Sequence, residues 1–431
     1  MKLNRRDFIK GTTAVSAGAA FENPLWQVWE QFRKRSSEPL AIMQGVTNET
    51  TTQISVNAPI NLKVHFRLLD LETQKKIETQ STKKYTRSNS ATAAYKIRFN
   101  DLEFGHRYLF QVISDSNEMI DQRELKTLDT QKSSARIALL SCMNDLIGRN
   151  IDQMWAAVQS SQPDAILLLG DNVYGDVLVV HGPRVLWQRY VDTRQNLPFY
   201  HFRKLIPSFA IWDDHDFGKN NVMGNYTHRE HSKDVFNSFY AQEPVRDFFE
   251  RGPGISSSFD LFGHRFVMLD GRYFRDVQRP YSQVSYLGSE QMKWVEERLS
   301  TVSTPAFFCL GSQFFGEYQK SNFSYLGTGG AEFEKFQSLL QKTNQPILMA
   351  SGDVHYSEVQ KISNSFAGFD GFELTSSCLH STADSKIDPN SRRLAGTLQN
   401  NFIYLDFNKD GSYQATCLGH QAKRFTVPLE F

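Results

Sequence analysis

Five segments of the chain share one pattern, in which an apolar run ends and side chains suited to cation binding follow. The segments read "LLSCMND", "LLLGDNVYGD", "FAIWDDHDFGKNN", "CLGSQFF" and "LMASGDVHYSE". Carboxylate, imidazole, phenol and thiol groups can all act as metal ligands in proteins. A single segment of this kind is often only a turn, because Asp is a common turn former. Its repetition predicts a metal centre to which several strand ends contribute.

The second and third segments carry the densest polar clusters. Asp171 follows Gly170 and could bridge two cations through its two carboxylate oxygens. Tyr174 would favour a hard cation such as Fe(III) as a phenolate, and would otherwise be an ordinary half-buried phenol. The run Asp213–Asp216 places three carboxylates around His215, and such a density of negative charge calls for a neutralising cation. His215 could protonate a leaving group or contact a phosphate oxygen.

Two further pairs of residues have i, i+2 spacing. In an extended segment this spacing places Asp353 and His355 on one face, where they can hold one cation. Cys142 and Asn144 have the same spacing, and Cys142 taken alone is either a small buried residue or a metal ligand. Because four other polar clusters are expected at the same sheet edge, the interpretation of Cys142 as a ligand is favoured.

The elements that must position these residues fall into two regions. Residues 37–130 contain short β-rich runs bounded by turn residues, which predicts an all-β sandwich. Within it, "DLEFGHRYLFQV" resembles the late-strand corner of a fibronectin type III domain. Residues 135–431 begin with strand "RIALLS", helix "NIDQMWAAVQSS" and strand "DAILLLG", a βαβ unit that predicts an α/β domain with a parallel sheet. Ligands gather at the carboxyl ends of strands in such sheets.

In their order along the chain, "SCMN", "GDNVYGD", "WDDHDFGKNN" and "GDVHYSE" resemble the motifs of the PhoD-like alkaline phosphatases (alkaline phosphatase D family), which are calcineurin-like metallophosphoesterases. "VMLDGRYFRD" and "GSEQMKWVEERLS" also resemble segments of that family. The resemblance implies an αββα metallophosphoesterase sandwich over residues 135–431, preceded by a fibronectin type III or immunoglobulin-like β-sandwich at 37–130.

The resemblance also implies a role for each matching position. His215 matches the general acid or phosphate contact. The matching metal ligands are Cys142 on iron, Asp171 as the bridging aspartate, Tyr174, Asp214, Asp353 and His355. The implied cofactors are Fe(III) and Ca²⁺, with other divalent cations as alternatives.

This sequence departs from the broader superfamily in two places. Gln313 stands where that superfamily has a metal-binding His, and Gln suits phosphate or water better than a cation. The spacing from His215 to the Asn-Asn pair is one residue longer than the usual form, which leaves open whether Asn220 or Asn221 is a ligand. The role of Asn144 is also open.

Two more residues are candidates near the centre. Arg272, with Arg275, follows strand "RFVML", and a guanidinium suits phosphate oxygens, so Arg272 is a candidate catalytic residue. The alternative is a structural ion pair with Asp270 or Asp276. His380 either lines the pocket or is an ordinary buried histidine.

The first residues, "MKLNRRDFIKGTTAVSAGAA", resemble a bacterial twin-arginine export signal, predicted over residues 1–30. The resemblance implies export in the folded state by the twin-arginine machinery to the periplasm or the extracellular space. No apolar run is long enough for a transmembrane segment.

The composition narrows the functional classes. A formal charge of +1 argues against a nucleic-acid scaffold. The four cysteines form no CxxC, which argues against a zinc ribbon.

The leading hypothesis is an exported metal-dependent phosphatase that hydrolyses small phosphate monoesters, diesters or both with cation-activated water. The alternatives are a phospholipase D-like or other phosphodiesterase and a non-catalytic exported binding protein on the same fold.

Overall fold

Eight strands build the first part of the computed structural model, which describes residues 40–176, 182–300, 305–317, 324–343 and 346–431. They are β1 (Ala41–Thr47), β2 (Thr52–Pro59), β3 (Val64–Asp70), β4 (Lys76–Glu78), β5 (Ser81–Tyr85), β6 (Thr92–Phe99), β7 (Arg107–Ser114) and β8 (Met119–Lys126). They form two four-stranded antiparallel sheets, ordered β1-β2-β6-β5 and β4-β3-β7-β8. Apolar side chains from both sheets share one core, as in a sandwich. The predicted export signal lies outside the described residues.

A tyrosine closes the corner before β7. The hydroxyl of Tyr108 accepts from the amide of Glu103 at 2.8 Å and donates to the carbonyl of the same residue at 3.1 Å. This is the hydrogen bonding of a tyrosine corner, the feature expected from "DLEFGHRYLFQV". The fibronectin-like label, and the division of the chain into domains at 37–130 and 135–431, stay predictions, since the described residues all belong to one compact unit.

The strands of the second part form two larger sheets. They are β9 (Ala135–Leu140), β10 (Ala165–Leu169), β11 (Ser208–Ile211), β12 (Phe249–Arg251), β13 (Ser257–Leu261), β14 (His264–Met268), β15 (Ala306–Cys309), β16 (Ile347–Ser351), β17 (Ser357–Ile362), β18 (Gly371–Thr375), β19 (Arg393–Thr397), β20 (Phe402–Phe407), β21 (Tyr413–Leu418) and β22 (Lys423–Leu429). One sheet has the order β11-β10-β9-β20-β21-β22 and the other β12-β13-β14-β15-β16-β18-β17-β19. Strands β9, β10 and β11 run parallel, as do β14, β15, β16 and β18.

Helices cover the two sheets. They are α1 (Ile151–Ser160), α2 (Pro183–Asn196), α3 (Asp214–Phe217), α4 (Arg229–Phe239), α5 (Ser289–Ser300), α6 (Tyr325–Thr328), α7 (Gly330–Gln341) and α8 (Asn364–Ala367), with 3₁₀ turns at Pro198–His201 and Tyr281–Gln283. One core contains side chains of both sheets, and a second core joins β14, β15 and β16 to α5 and α7. The architecture is therefore the αββα sandwich. No helix of the described residues is long and apolar enough to cross a membrane.

The layering explains the apolar strands of the sequence. All five residues of β10 and all five of β16 are buried, because each strand is covered on both faces. Apart from Ser351 at the end of β16, these strands carry no polar side chains, so polar residues accumulate in the loops where the strands end. The predicted βαβ unit is β9–α1–β10, and "NFIYLDF" is the antiparallel strand β20 beside β9.

Candidate metal centre

Side chains from four of the five polar segments meet beyond the carboxyl ends of parallel strands. Cys142 follows β9, Asp171 follows β10 and Asp214 follows β11 in one sheet, while Asp353 and His355 follow β16 in the other. Three groups of them have ligand atoms within 4.8 Å of one another. These groups are Cys142 with Asp171 and His355, Asp171 with Asp214 and His215, and Asp213 with Asp214 and Asp353. The shared members, Asp171 and Asp214, join the three groups into one extended centre.

Sulfur, phenol and imidazole donors gather on one side of Asp171. The Sγ of Cys142 lies 3.8 Å from Asp171 Oδ2, and the hydroxyl of Tyr174 lies 3.5 Å from the same oxygen. That hydroxyl is also 3.3 Å from Nε2 of His355. Nδ1 of His355 lies 2.8 Å from the carbonyl oxygen of Thr382, which only accepts, so Nδ1 carries the proton. The Nε2 lone pair of His355 is therefore free to bind a cation.

One buried carboxylate ties the loops of the centre together. Asp216 accepts hydrogen bonds from the amides of Asp213 at 3.1 Å, Asn172 at 3.2 Å and Val173 at 2.9 Å. It thereby joins the loop after β10 to the first turn of α3. The two loops approach so closely that a Cβ added at Gly170 would lie 2.7 Å from the Cβ of Asp213. Glycine is therefore required at that position.

Four of the predicted ligands have a left-handed backbone. Their φ angles are 55° for Cys142, 52° for Asp171, 71° for Asp353 and 58° for His355. Residues other than glycine adopt such angles rarely, because Cβ then crowds the backbone. Strain of this kind clusters at functional sites, where surrounding contacts hold it in place. The loops thus hold these side chains toward the centre in backbone conformations that the residues would not otherwise prefer.

The electrostatics of the centre fit bound cations. Burial raises the pKa of Asp171 and of Asp353 well above the usual range, and neighbouring carboxylates raise both further. Burial also raises the pKa of the Cys142 thiol. Within the described residues, Asp353 Oδ2 is buried and accepts no hydrogen bond. A bound cation would supply both the missing partner and the missing positive charge, so the donors present suit a metal centre.

His215 lies at the rim of the centre and has its own carboxylate partner. Its Nδ1 lies 2.6 Å from Oδ1 of Asp176, and its ring stacks on that of Tyr174 with centroids 4.2 Å apart. Burial lowers the pKa of His215, but the carboxylates of Asp171 and Asp214 and the hydrogen bond to Asp176 together raise it well above the usual value. The contact leaves Nε2 of His215 as the ring nitrogen that can face a substrate.

Arg272 is held in the centre by an ion pair that differs from the two considered from the sequence. Its guanidinium binds both oxygens of Asp213, with Nη2 2.9 Å from Oδ2. Asp270 instead accepts from the indole of Trp212 at 2.8 Å, and Asp276 pairs with Arg279. The pairing with Asp270 or Asp276 was wrong because Asp213 turns toward Arg272 from the start of α3. Nη2 also lies 3.9 Å from a carboxylate oxygen of each of two ligand candidates, Asp214 and Asp353.

The predicted amide ligands are placed differently. Oδ1 of Asn144 accepts from the amides of Leu146 at 3.0 Å and Ile147 at 3.1 Å, so it stabilises its own turn. The side chains of Asn220 and Asn221 are exposed. The Asn221 contribution is its main-chain N–H, which donates to a carboxylate oxygen of Asp214 at 2.6 Å.

Gln313 and His380 also lie outside the three ligand groups. Gln313 is buried, and its Nε2 donates to Glu358 Oε1 at 2.9 Å and to Thr375 Oγ1 at 3.0 Å. His380 is buried with Nδ1 3.0 Å from the carbonyl oxygen of Asn144. Of the two interpretations made from the sequence, burial favours an ordinary buried histidine over a residue that lines the pocket.

Sequence reasoning missed the polar residues that contact the predicted ligands. Asp176 lies in the quoted "GDNVYGD", but its spacing gives no sign that it reaches His215. Ser377 Oγ lies 3.1 Å from Cys142 Sγ, and Ser381 Oγ lies 2.9 Å from the hydroxyl of Tyr174. Serine is common in loops, and only the path of the chain after β18 brings these two hydroxyls to the centre.

Comparison with known families decides the class of the protein. The PhoD-like phosphatase model matches residues 137–424. The chain belongs to the PhoD-like phosphatase family. It is therefore an enzyme that hydrolyses phosphate esters. Residues 2–21 match the signal sequence of the twin-arginine translocation pathway, so this PhoD-like phosphatase is an exported protein of the periplasm or the extracellular space.

Solved structures share the fold of this PhoD-like phosphatase. One is described as the structure of PhoD, with a TM-score of 0.71 at 15% identity over 91% of this chain and 90% of that one. Another is the purple acid phosphatase PPD1 from yellow lupin (Lupinus luteus) seeds, with a TM-score of 0.63 at 13% identity over 90% of this chain and 74% of that one. At these identities the likeness concerns the fold. Among curated proteins, none matches the sequence.

Proposed function

We propose that this phosphatase hydrolyses small phosphate monoesters and diesters at the centre shared by Asp171 and Asp214. The observation that carries the proposal is that Asp171 belongs to two chemically different donor groups, one with Cys142 and His355 and one with Asp214 and His215. Cys142, Tyr174 and His355 would hold Fe(III) with Asp171, because thiolate, phenolate and imidazole suit that ion. The oxygen donors of Asp214 and Asp353 would hold Ca²⁺ or another hard divalent cation.

The chemistry that such cations supply when bound is neutralisation of phosphate charge and acidification of a water molecule. The chain's own groups do the rest. Asp176 accepts from Nδ1–H of His215, and because neighbouring carboxylates raise the pKa of this ring, the imidazolium carries a second proton on Nε2 that is given to the leaving oxygen of the ester. Arg272, fixed by Asp213, places a permanent positive charge among the acidic ligands, where it favours an anionic substrate.

Two other functions have weaker support. A phospholipase D-like or other strict phosphodiesterase would use the same donors, and nothing in the geometry of the ligands excludes a second ester group on the substrate. A purely binding protein would need neither the Asp176–His215 contact nor strained backbone at four donor residues. Activity on both ester classes is therefore proposed ahead of the binding protein, and assays of both classes distinguish it from a strict phosphodiesterase.

Hydrolysis of aryl phosphate monoesters and diesters, assayed beside elemental analysis of the purified protein, tests the proposal. We expect turnover of both substrate classes, stoichiometric iron, and loss of turnover when the metal is removed with a chelator. Full activity after complete metal removal would contradict the proposed centre. Turnover of diesters alone would favour the phosphodiesterase, and no turnover of either class with metal bound would favour the binding protein.

A further inference from the structure

The loop that follows β18 supplies a buried hydroxyl between two of the proposed metal ligands. Ser377 is fully buried, and its Oγ lies 3.1 Å from the Sγ of Cys142. The same oxygen lies 2.9 Å from the main-chain nitrogen of His355. Cys142 follows β9 and His355 follows β16, so this one hydroxyl connects ligands that come from two different sheets.

The direction of these hydrogen bonds follows from proton counting. A serine hydroxyl has one proton, and a main-chain N–H can only donate. Ser377 Oγ therefore accepts from His355, and its own proton remains for the sulfur of Cys142. A thiolate that binds a cation has no proton, so in that state the sulfur can only accept.

A second serine near the sulfur is not available as a donor. Ser141 Oγ lies 3.4 Å from Cys142 Sγ, but it also lies 2.6 Å from the carbonyl oxygen of Ser376. A carbonyl oxygen only accepts, and the shorter contact takes the single proton of Ser141. Among the described residues, Ser377 is thus the hydroxyl whose proton is left for the sulfur.

We propose that Ser377 is a positioning residue that donates a hydrogen bond to the Cys142 thiolate and so limits the electron density the sulfur gives to its cation. The proposal rests on the proposed function, in which Cys142 binds iron. A hydrogen bond to a ligand sulfur stabilises its negative charge, and such outer contacts tune the metal that the ligand holds. The contact with His355 also links the position of the sulfur to that of the imidazole.

The test compares four serine variants of the iron-containing protein. The sulfur charge-transfer absorption band is first identified as the band that Cys142→Ala abolishes. In Ser377→Ala we expect this band to move to longer wavelength, because loss of the hydrogen bond raises the energy of the sulfur electrons. Iron affinity, measured by competition with a chelator, should fall roughly 10- to 100-fold, because the variant lacks the contact that favours the binding thiolate over the protonated thiol.

Ser141→Ala is the matched control, since it removes a buried hydroxyl at a similar distance from the Cys142 sulfur, and that hydroxyl donates to the carbonyl of Ser376 instead. It should leave both the band and the iron affinity unchanged. Ser377→Thr, which retains a hydroxyl, should restore the wild-type band. Ser377→Val, which has the shape of the threonine variant but no hydroxyl, gives the same comparison if the alanine variant does not fold.

The outcomes separate the two proposals. A wild-type protein without iron or without the sulfur band contradicts the iron assignment of the proposed function, and with it the role of Ser377. A wild-type protein with the band, together with an unshifted band in Ser377→Ala, overturns the role of Ser377 alone. An equal shift in Ser141→Ala would also overturn it.

Discussion

Asp176 holds His215 through a contact of 2.6 Å between Oδ1 and the ring nitrogen Nδ1. The other oxygen of Asp176 accepts from the main-chain N–H of Asn220 at 2.6 Å, so the carboxylate is itself fixed. Stacking against Tyr174 removes a further freedom of the imidazole ring. The orientation of His215 is thus set before a substrate binds.

Substitution of the Asp176 carboxylate should impair proton donation by His215 to the leaving group. We expect Asp176→Asn to lower kcat roughly 10- to 100-fold with little change in KM, because the ring of His215 loses its orientation and the partner of its positive charge. The loss should be larger for aryl phosphates with poor leaving groups, which need the proton most. Steady-state kinetics over a series of leaving groups measures this, and the exposed Asp410→Asn serves as control. A uniform loss across the series would contradict the assignment of His215 as proton donor.

Replacement of the candidate sulfur ligand should remove metal without unfolding the chain. Cys142→Ala is expected to lose iron and activity, because no sulfur remains beside Asp171 and Tyr174. Cys309→Ala is the control, since Cys309 is an equally buried free cysteine at the end of β15 whose thiol lies outside the three ligand groups. Elemental analysis and circular dichroism of both variants check the expectation. Wild-type iron content in Cys142→Ala would show that the cysteine is only a packing residue.

The buried pair of Arg272 and Asp213 should be important for stability as well as for substrate binding. Arg272→Ala leaves a carboxylate buried without its partner, which costs about 3 to 5 kcal/mol of unfolding free energy. Arg265→Ala breaks a pair with the exposed Asp260 and should cost less than about 1 kcal/mol. Urea unfolding of the two variants gives the comparison. Equal stability of both variants would mean that the Arg272 pair contributes no more than a surface pair.

Acid should destabilise the fold through His380. Burial lowers the pKa of this histidine from 6.5 to about 4, and its Nε2 has no hydrogen-bond partner among the described residues. The folded-state pKa is depressed, so the neutral ring contributes stability above pH 6.5 that is lost as the pH falls toward 4. The loss from this residue should be about 2 kcal/mol at pH 5 relative to pH 8.

Urea unfolding at the two pH values measures the contribution of His380. The variant His380→Gln should show a smaller loss between pH 8 and pH 5 than the wild type, since it has no imidazole to protonate. The exposed His65→Gln should retain the wild-type loss. An identical pH dependence in His380→Gln and wild type would rule out this histidine as the source.

The sequence was informative for residues whose position in the fold follows from their place at the end of a strand. Apolar runs such as β10 and β16 are recognisable in the sequence, and the carboxyl ends of parallel strands lie at a common edge. That rule is enough to bring Asp171 and Asp214 together at the edge of one sheet, whereas Asp353 follows β16 of the second sheet and reaches Asp214 only because the two sheets pack on each other. Their role as metal ligands stays a prediction.

The sequence was less informative where a loop decides which atom faces the centre. Asn144 has the spacing of a ligand, but its side chain completes a local turn. Ser377 has no distinguishing spacing, and it reaches Cys142 only because β18 lies beside β16 in the second sheet. Arg272 was expected near phosphate, yet its partner Asp213 could not be chosen from several nearby aspartates without the direction of α3.

Left-handed backbone lowers the stability of the chain at four predicted ligands. They are Cys142, Asp171, Asp353 and His355, whose side chains the proposed chemistry needs. Each of these residues costs roughly 1 kcal/mol or more relative to glycine at the same φ angle. Glycine at the four positions would relieve the crowding and make the loops easier to form. Selection for heat resistance alone would therefore remove a thiol, two carboxylates and an imidazole from the centre of this enzyme.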